Sequence, residues 1–188
     1  MALEKLDRRV RKTRALLLKG LIQLMSEKDI KDISVKELSD LVDINRGTFY
    51  LHYNDIYDML EKIEDELFQE FNDFLDHNLA GEESILSPYP TLLDLFTLLE
   101  KHKDLAKVMM GSHGDLAFVN RLKSLVEERL RHLLEAEHSY SYEYYYPFIV
   151  SGCVGVIETW LNHPSPLTPE KMAELCSNML NKGLAGMQ

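Results

Sequence analysis

The sequence predicts an all-α fold, and three observations support this prediction. Apolar residues recur at helical spacing in nearly every segment of the 188-residue chain. Serine, asparagine and threonine stand at the starts of these segments, where their side chains can cap a helix. No alternating strand pattern of useful length and no internal repeat interrupts them. The chain is long enough to bury a substantial core, as one large domain or two small ones.

The N-terminal third begins with three predicted helices. The first covers about residues 8–28, with apolar residues recurring on one face. Ser34 opens the second with a capping box, in which the Ser34 hydroxyl and the Glu37 carboxylate each accept a hydrogen bond from a backbone N–H. Asn45 is the predicted N-cap of the third, which is short. These elements together predict a compact N-terminal three-helix unit.

The rest of the chain is predicted to continue as helices. Asn54 or Asp55 caps a fourth helix, which is expected to reach about residue 77. Residues 80–90, AGEESILSPYP, form the clearest loop. The helices expected after this loop cover roughly residues 91–102, 104–110, 115–136 and 143–162, followed by a last helix that opens at Thr168-Pro169 and reaches about residue 183. Pro147 is expected in or near the first turn of the 143–162 helix, where proline is tolerated.

The second and third helices, joined by a tight turn, predict a helix-turn-helix unit. In such a unit the second helix enters the major groove of double-stranded DNA with its N-terminal residues first, while the preceding helix crosses the backbone. Arg46 can pair with guanine or clamp a phosphate, and Gly47 allows close approach. The candidate DNA-binding residues are Ser34, Lys36, Asn45, Arg46, Gly47, Thr48, Tyr50, His52 and Tyr53. The alternative is that Phe49, Tyr50 and Tyr53 are only core aromatics of a small bundle, and Phe49 is expected to face inward in either case.

The charge of the chain is unevenly distributed. The formal net charge is −10 at pH 7, yet residues 1–20 hold seven basic and two acidic side chains, and residues 1–62 are about neutral. The acidity therefore belongs to the C-terminal two-thirds and does not exclude binding of the N-terminal third to DNA phosphates. The basic residues between Arg8 and Lys19 are expected to flank the site and to reach the adjacent DNA backbone or minor groove.

Several other classes of protein are disfavoured. No apolar run approaches the roughly 18 residues needed to span a bilayer, and the N-terminal segment lacks the apolar core of a signal peptide. The cytoplasm is therefore the expected location, with no membrane partner. No GxSxG, HExxH, P-loop or dinucleotide fingerprint is present, so we predict no enzymatic activity and no cofactor. Cys153 and Cys176 are interpreted as small hydrophobic residues rather than as a disulfide or a metal site.

The N-terminal pattern resembles the TetR family of bacterial regulators, which join a helix-turn-helix unit to one helical regulatory domain. The resemblance rests on Ile33-Ser34-Val35 followed by Leu38, on the run Asn45-Arg46-Gly47-Thr48-Phe49-Tyr50, and on His52-Tyr53 and Leu60. The C-terminal run YYPFIVSGCVGVIETWL is similar to the dimerisation half of a subset that includes regulators of dihydroxyacetone kinase genes. The resemblance implies a DNA-binding domain at residues 1–54 and a helical effector-binding and dimerisation domain at residues 55–188.

Two departures from the family pattern bear on the site. Val42-Asp43 replaces the small residue and glycine that are usual in the turn. Because aspartate tolerates the left-handed conformation, the turn is expected to persist. Ile56 stands where many members have a lysine opening the fourth helix, so one phosphate contact is expected to be missing.

The 143–162 helix and the last helix are predicted to form a homodimer interface, because a single helix-turn-helix unit reads only half a site. Gly152 and Gly155 weaken a solitary helix, which suggests close approach by another helix. In the family that the chain resembles, the last two helices of each subunit make a four-helix interface. The candidate interface residues are Phe148, Gly152, Cys153, Gly155, Val156, Trp160, Met172, Leu175 and Met179. The alternative is that this face is buried within its own subunit.

The middle helices are predicted to surround a pocket for an unidentified small-molecule effector. The candidate lining residues are Phe96, Leu99, Met109, Met110, Phe118, Leu122 and Tyr145. The same residue types at helical spacing are also typical of a solid core. His113 is either a ligand contact or an exposed loop residue. Three functions remain open from the sequence: a repressor released by a ligand, a transcriptional activator or co-activator, and an interaction protein that does not bind DNA.

Overall fold

The computed structural model describes residues 2–79, 87–134, 141–164 and 166–185. Within these ranges the chain forms nine α-helices and no strand, which confirms the all-α prediction. The helices are α1 (Ala2–Met25), α2 (Val35–Leu41), α3 (Arg46–Tyr50), α4 (Ile56–Asn78), α5 (Tyr89–Lys101), α6 (Lys103–Met109), α7 (Leu116–Leu134), α8 (Ser141–Asn162) and α9 (Pro169–Ala185). None of these described helices is both long enough and apolar enough to cross a membrane.

The chain divides into two compact units. Unit 1 consists of Met1–Glu66 together with Val108–Gly114, and unit 2 of Leu67–Lys107 together with Asp115–Gln188. Unit 1 therefore contains α1, α2, α3 and the first half of α4, and the second half of α4 belongs to unit 2. The functional boundary between residues 54 and 55 stays a prediction.

Helix boundaries differ from the predicted ones mainly at the N-terminal ends. Helix α1 begins at Ala2 rather than near residue 8. Tyr89 and Pro90, predicted as the end of the loop, form the first turn of α5, where proline is favoured because its missing N–H needs no partner. Residues 80–86 of the predicted loop lie outside the described residues.

Pro147 lies further inside its helix than predicted. Helix α8 begins at Ser141, so Pro147 stands in the second turn and not in the first. Proline has no N–H to donate to the carbonyl oxygen of Glu143, which leaves one helical hydrogen bond unmade.

Unit 1 is organised by the packing of α1 against α2. Its most deeply buried apolar side chains, each at most 2% exposed, are Leu17, Leu21, Met25, Leu38, Phe49, Met59 and Met109. Gly20 lies at the closest point of this packing. A Cβ atom at residue 20 would stand 2.8 Å from Leu38 Cδ1 and still closer to Val42 Cγ1. The two helices can approach this closely only because residue 20 has no side chain.

In unit 2, α5 packs against α9 and α7 packs against α8. The ring of Phe96 on α5 stands edge-on to Trp160 on α8, with the ring centroids 5.3 Å apart. The indole N–H of Trp160 donates to the carbonyl oxygen of Leu167 at 2.7 Å, so this buried polar group is satisfied. This aromatic pair fixes α8 against the interior of unit 2.

Ion pairs tie the second half of α4 to its neighbours in unit 2. Lys101 at the end of α5 donates to Glu70 at 2.7 Å, and this contact is the main cause of the lowered pKa of Glu70. Arg129 on α7 donates to Asp76 at 2.7 Å and to Asn72 at 2.9 Å. Helix α4 is thus held by polar contacts from both α5 and α7.

The two cysteines are free thiols. Burial raises the pKa of Cys176 to about 11 and also raises the pKa of Cys153. A thiol with a raised pKa carries little thiolate at neutral pH and is a poor nucleophile. The two side chains therefore behave as the small hydrophobic residues that the sequence suggested.

Candidate nucleic-acid interface

Ser34 is the N-cap of helix α2, and its hydroxyl oxygen accepts a hydrogen bond from the N–H of Glu37 at 3.2 Å. This is the first half of the predicted capping box. The Glu37 carboxylate is engaged elsewhere: it accepts from Lys28 Nζ at 2.5 Å. The start of α2 is therefore tied to the segment that follows α1. Ser34 and Lys36, both candidate DNA-binding residues, are exposed at this helix start.

The turn between α2 and α3 forms as predicted. Asp43 has a φ of 54°, in the left-handed region that few residues other than glycine, asparagine and aspartate adopt. The N–H of Ile44 donates to the carbonyl oxygen of Ser39 at 2.9 Å, which closes the turn. The expectation that Val42-Asp43 preserves the turn is confirmed.

Helix α3 is short and is fixed by one cap and one aromatic side chain. Asn45 is its N-cap, and the Asn45 side-chain oxygen accepts from the N–H of Gly47 at 2.8 Å. Phe49 is fully buried, as predicted. On the other sides of the helix, Asn45, Arg46 and Gly47 are exposed, Thr48 is half-buried and Tyr50 is 58% exposed.

Tyr53 does not belong to the exposed face, and its predicted role as a hydrogen-bond donor to phosphate is corrected. Its side chain is only 4% exposed, and its ring lies 5.7 Å from that of Phe49. Its hydroxyl oxygen accepts from Arg14 Nε at 3.2 Å. His52, the neighbouring candidate, is half-buried. The core interpretation thus holds for Phe49 and Tyr53 but not for Tyr50.

Arg14 has a structural role that the sequence did not reveal. Besides Tyr53, its guanidinium contacts the Glu66 carboxylate of α4. The hydrogen bond to Glu66, followed by that to Tyr53, raises the pKa of Arg14 above its usual value. Sequence analysis placed this arginine among the side chains that reach for DNA. Its partners lie 39 and 52 residues further along the chain, so no local pattern identifies them.

We expect Arg14→Gln to weaken DNA binding without changing its salt dependence. The substitution removes support from Tyr53 and α4 but removes no phosphate contact, so affinity should fall by roughly 1 kcal/mol, about fivefold. Lys36→Ala is the comparison, because the loss of a phosphate contact lowers the slope of log K against log salt by about 0.9. Titrations at several salt concentrations measure both variants. If Arg14→Gln lowered the slope of log K against log salt as much as Lys36→Ala does, Arg14 would have to be counted among the residues that contact DNA phosphates.

A second capping arrangement begins α4, directly after the segment that follows α3. Asp55 accepts from the N–H of Asp58 at 2.8 Å, and Asp58 accepts from the N–H of Asn54 at 2.8 Å. Lys62 Nζ donates to Asp58 at 2.8 Å and to the carbonyl oxygen of His52 at 3.4 Å. The Lys62 contact and then the Asn54 N–H lower the pKa of Asp58. The end of the helix-turn-helix is therefore fastened to the first two turns of α4.

Ile56 occupies the position at which many members of the TetR family have a lysine. Its side chain is 3% exposed and contributes to the core of unit 1. A buried aliphatic side chain supplies neither charge nor a hydrogen bond to phosphate. The expected lack of a phosphate contact from this position therefore remains a prediction that is compatible with the burial of Ile56.

The segment Val108–Gly114 belongs to unit 1 and is attached to it by His113. His113 Nδ1 lies 2.6 Å from Asp29 Oδ1, and Lys31 Nζ lies 3.0 Å from Asp29 Oδ2. These two contacts lower the pKa of Asp29, His113 more than Lys31. His113 was predicted to be either a ligand contact or an exposed loop residue. In the structure it pairs instead with the carboxylate of Asp29, 84 residues away in the sequence.

Helices α8 and α9 each carry apolar residues or glycines that are exposed in the isolated subunit. The predicted interface residues among them are Phe148, Gly152, Gly155, Leu175 and Met179, whereas Cys153 and Val156 are half-buried. Phe148 is 72% exposed, and a Cβ atom at Gly152 or Gly155 would have no atom within 4 Å. Trp160 and Met172 are at most 5% exposed and lie in the interior of unit 2, so their assignment to the interface is corrected.

The predicted effector residues are divided between the two units. Met109 and Met110 belong to unit 1, whereas the other described members belong to unit 2. Phe96 and Phe118 are buried, and Leu99 and Leu122 are half-buried. The side chain of Tyr145 lies outside the described residues. Phe96 packs against Trp160, so its position is explained by the alternative that this residue belongs to a solid core.

Two curated relatives match about half of this chain. The HTH-type transcriptional regulator YxbF of Bacillus subtilis strain 168 is 28% identical over 98 residues, which are 49% of this chain and 25% of the relative. YvdT of the same strain, also an HTH-type transcriptional regulator, is 27% identical over 90 residues, or 47% of this chain and 46% of the relative. The chain thus spans less than half the length of either relative.

Solved structures resemble nearly the whole chain. A TetR-family regulator from Syntrophomonas wolfei has a TM-score of 0.71 at 15% identity, covering 95% of this chain and 97% of that one. The dihydroxyacetone kinase operon activator DhaS has a TM-score of 0.56 at 16% identity, covering 92% and 96%. The repressor FadR of Thermus thermophilus, in complex with lauroyl-CoA, has a TM-score of 0.55 at 17% identity, covering 91% and 94%. At these identities the likeness shows the fold alone.

A family profile matches the C-terminal half of the chain. Residues 87–182 match the TetR profile described as a transcriptional regulator C-terminal region. The similar proteins are transcriptional regulators and not enzymes, which agrees with the prediction that this chain is not an enzyme. The predicted resemblance of the chain to the TetR family is likewise confirmed. This chain belongs to the TetR family of transcriptional regulators.

Proposed function

We propose that this protein is a homodimeric, sequence-specific DNA-binding repressor that a small-molecule effector releases from its operator. The observation that carries the proposal is the exposure of the N-terminal end of α3. Asn45, Arg46 and Gly47 lie outside the core, while Phe49 holds the opposite side of the helix inside it. This is the arrangement that a recognition helix needs in order to enter a major groove.

Exposed basic side chains of unit 1 support the proposal. Arg8, Arg9 and Lys12 are exposed on α1, and Lys36 is exposed at the start of α2. Side chains of this kind neutralise phosphates and release counterions, which supplies the sequence-independent part of DNA affinity. Arg46 adds a guanidinium whose paired donors match the acceptor edge of guanine. Unit 1 thus offers both positioning contacts and one candidate base contact.

We expect Arg46→Ala to weaken binding to a duplex from the protein's own upstream region by about 5- to 150-fold, or 1–3 kcal/mol, if Arg46 reads a base. The variant should fold normally because the Arg46 side chain is exposed. Gel shifts at fixed salt measure the change. Arg131→Ala is the matched control, since Arg131 is an exposed arginine on α7 of unit 2. Full affinity in a folded Arg46→Ala variant would remove Arg46 from the interface.

A transcriptional activator of the same fold is the second candidate. DhaS, which is described as an operon activator, shares the fold of this chain. Both candidates bind DNA through the same helix, so binding assays do not separate them. Transcription from the bound promoter does: a repressor lowers the transcript level when the protein is added, and an activator raises it.

For the effector, we propose a site in unit 2 that acts on DNA binding through α4. The fold is shared with a repressor in complex with lauroyl-CoA, and α4 contributes residues to both units. An effector shifts the equilibrium only if it binds better to a state that holds α3 unfavourably for DNA. A coupling of 1–3 kcal/mol would give about a 5- to 150-fold change in DNA affinity.

Reciprocity provides the test of this coupling. A thermal-shift screen that begins with lauroyl-CoA and other acyl-CoA esters identifies compounds that raise the melting temperature. We expect a true effector to lower DNA affinity, and bound DNA to lower effector affinity by the same factor. Calorimetric titration with and without DNA measures this factor. A compound that binds equally well in both titrations is not acting through α4.

A further inference from the structure

The outward face of α3 carries a strongly exposed apolar side chain. At 80%, Leu51 is more exposed than any other large apolar side chain in the described part of the chain. Its backbone remains helical, with φ −73° and ψ −16°, so it continues the helical wheel of α3. At 3.6 residues per turn, Leu51 lies about 200° around the axis from the buried Phe49. It therefore points directly away from the core of unit 1.

Gly47 shares this face, one turn before Leu51. A Cβ atom at Gly47 would have a single near neighbour, Asn45 Oδ1 at 3.2 Å, and the outward side is otherwise open. Tyr50, which is 58% exposed, and the half-buried Thr48 flank the pair. The centre of the face thus combines a position without a side chain and a branched aliphatic side chain. At Gly47 no side chain keeps the backbone of α3 away from a surface that this face meets.

The chemistry of the major groove limits what Leu51 can contact there. Leucine neither donates nor accepts a hydrogen bond, so it cannot read the polar edges of the bases or bind phosphate oxygens. The apolar group that this groove presents is the C5-methyl group of thymine. Contact with such a methyl group removes apolar surface of both partners from water, which is favourable in proportion to the buried area.

We infer that Leu51 is a specificity-determining residue that contacts the methyl group of one thymine in each half-site. This inference rests on the proposed function, because it requires α3 to lie in the major groove. Leu51 would make an apolar contact with a base, in addition to the polar base contact proposed for Arg46.

The test uses the full chain and a duplex that the protein selects from a random-sequence pool. Each thymine of the selected duplex is replaced in turn, in both half-sites, by deoxyuridine, which lacks only the methyl group. Affinities are measured for the wild-type protein and for Leu51→Ala. We expect the wild-type protein to lose affinity about fourfold per half-site at one thymine position, the effect of one buried methyl-sized group. Leu51→Ala should bind the thymine duplex more weakly and should be insensitive to deoxyuridine at that position.

Leu116→Ala is the matched control, because Leu116 is a 71% exposed leucine at the start of α7 in unit 2. It should retain both the wild-type affinity and the wild-type response to deoxyuridine. If the protein enriches a sequence and Leu51→Ala keeps the wild-type response at every thymine, Leu51 does not read a methyl group. If the protein enriches no sequence at all, the proposed DNA-binding function fails and this inference fails with it.

Discussion

Replacing both Gly152 and Gly155 with leucine should convert the proposed dimer to a monomer. Within the subunit, a Cβ atom at either position has no atom within 4 Å. Both positions are exposed, so we expect the isolated chain to accept the leucines. The higher helix propensity of leucine favours α8 by up to about 1 kcal/mol at each position. If α8 meets α8 or α9 of a second copy at these glycines, the added side chains force the paired helices apart. Any loss of assembly then comes from the interface and not from the fold.

The expected effect on DNA binding is larger than that of removing any single base contact. Two linked recognition helices bind with an avidity about 10²–10⁴-fold above that of one, and a monomer loses this gain. Sedimentation should report the 21.8 kDa mass of one chain where the parent protein gives twice that mass. Gel shifts on a two-half-site duplex should show the fall in affinity.

Two further variants separate the causes. Gly152→Ala with Gly155→Ala raises helix propensity with little added bulk, so it should perturb the dimer far less. Asn120→Leu adds an exposed leucine on α7 in unit 2 and should leave both the mass and DNA binding unchanged. A parent protein that sediments as a dimer, with a leucine variant that does the same, would place the interface on another surface.

Local chemistry made much of unit 1 predictable. The caps at Ser34 and Asn45 and the positive φ of Asp43 each depend on a few neighbouring residues, and the structure has all three. The inward position of Phe49 follows from helical spacing in the same way. These features define the turn before α3, the start of α3 and its buried side. The candidate interface was therefore largely predictable from the sequence.

Contacts between distant residues were not predictable from one sequence. Tyr53 was assigned to DNA because its hydroxyl suits phosphate, but its partner Arg14 comes from α1, 39 residues earlier. Trp160 was assigned to the dimer because α8 is apolar on most of its surface, and periodicity alone does not say which side faces α5. The ring of Phe96 decides that question in the structure. Spacing identifies apolar faces, whereas the neighbour that covers each face is a property of the folded chain.

Gly20→Leu should destabilise unit 1 and abolish DNA binding at temperatures at which the parent protein binds. The first added atom, Cβ, would lie 2.8 Å from Leu38 Cδ1 and closer still to Val42 Cγ1. Three more carbon atoms would then have to enter the contact between α1 and α2. Overpacking of a well-packed core costs about 1–3 kcal/mol, and with four carbons added we expect about 3 kcal/mol or more.

The functional consequence follows from the position of Val42. This residue is the C-cap of α2 and precedes Asp43, whose left-handed conformation sets the turn into α3. A side chain at residue 20 that pushes Val42 outward therefore moves the turn and the recognition helix with it. DNA affinity should fall even at temperatures at which the variant is still folded. Thermal melts and gel shifts at the same temperature distinguish the loss of stability from the displacement of α3.

A graded series makes the steric cause testable. In Gly20→Ala, the added methyl group still displaces Val42, but alanine recovers about 1 kcal/mol of helix propensity, so the net loss of stability should be small. Ala15→Leu adds similar apolar bulk at an exposed position of α1 and should change neither stability nor binding. A Gly20→Leu variant that melts and binds like the parent protein would show that α1 and α2 do not pack this closely, and that the placement of the turn does not depend on residue 20.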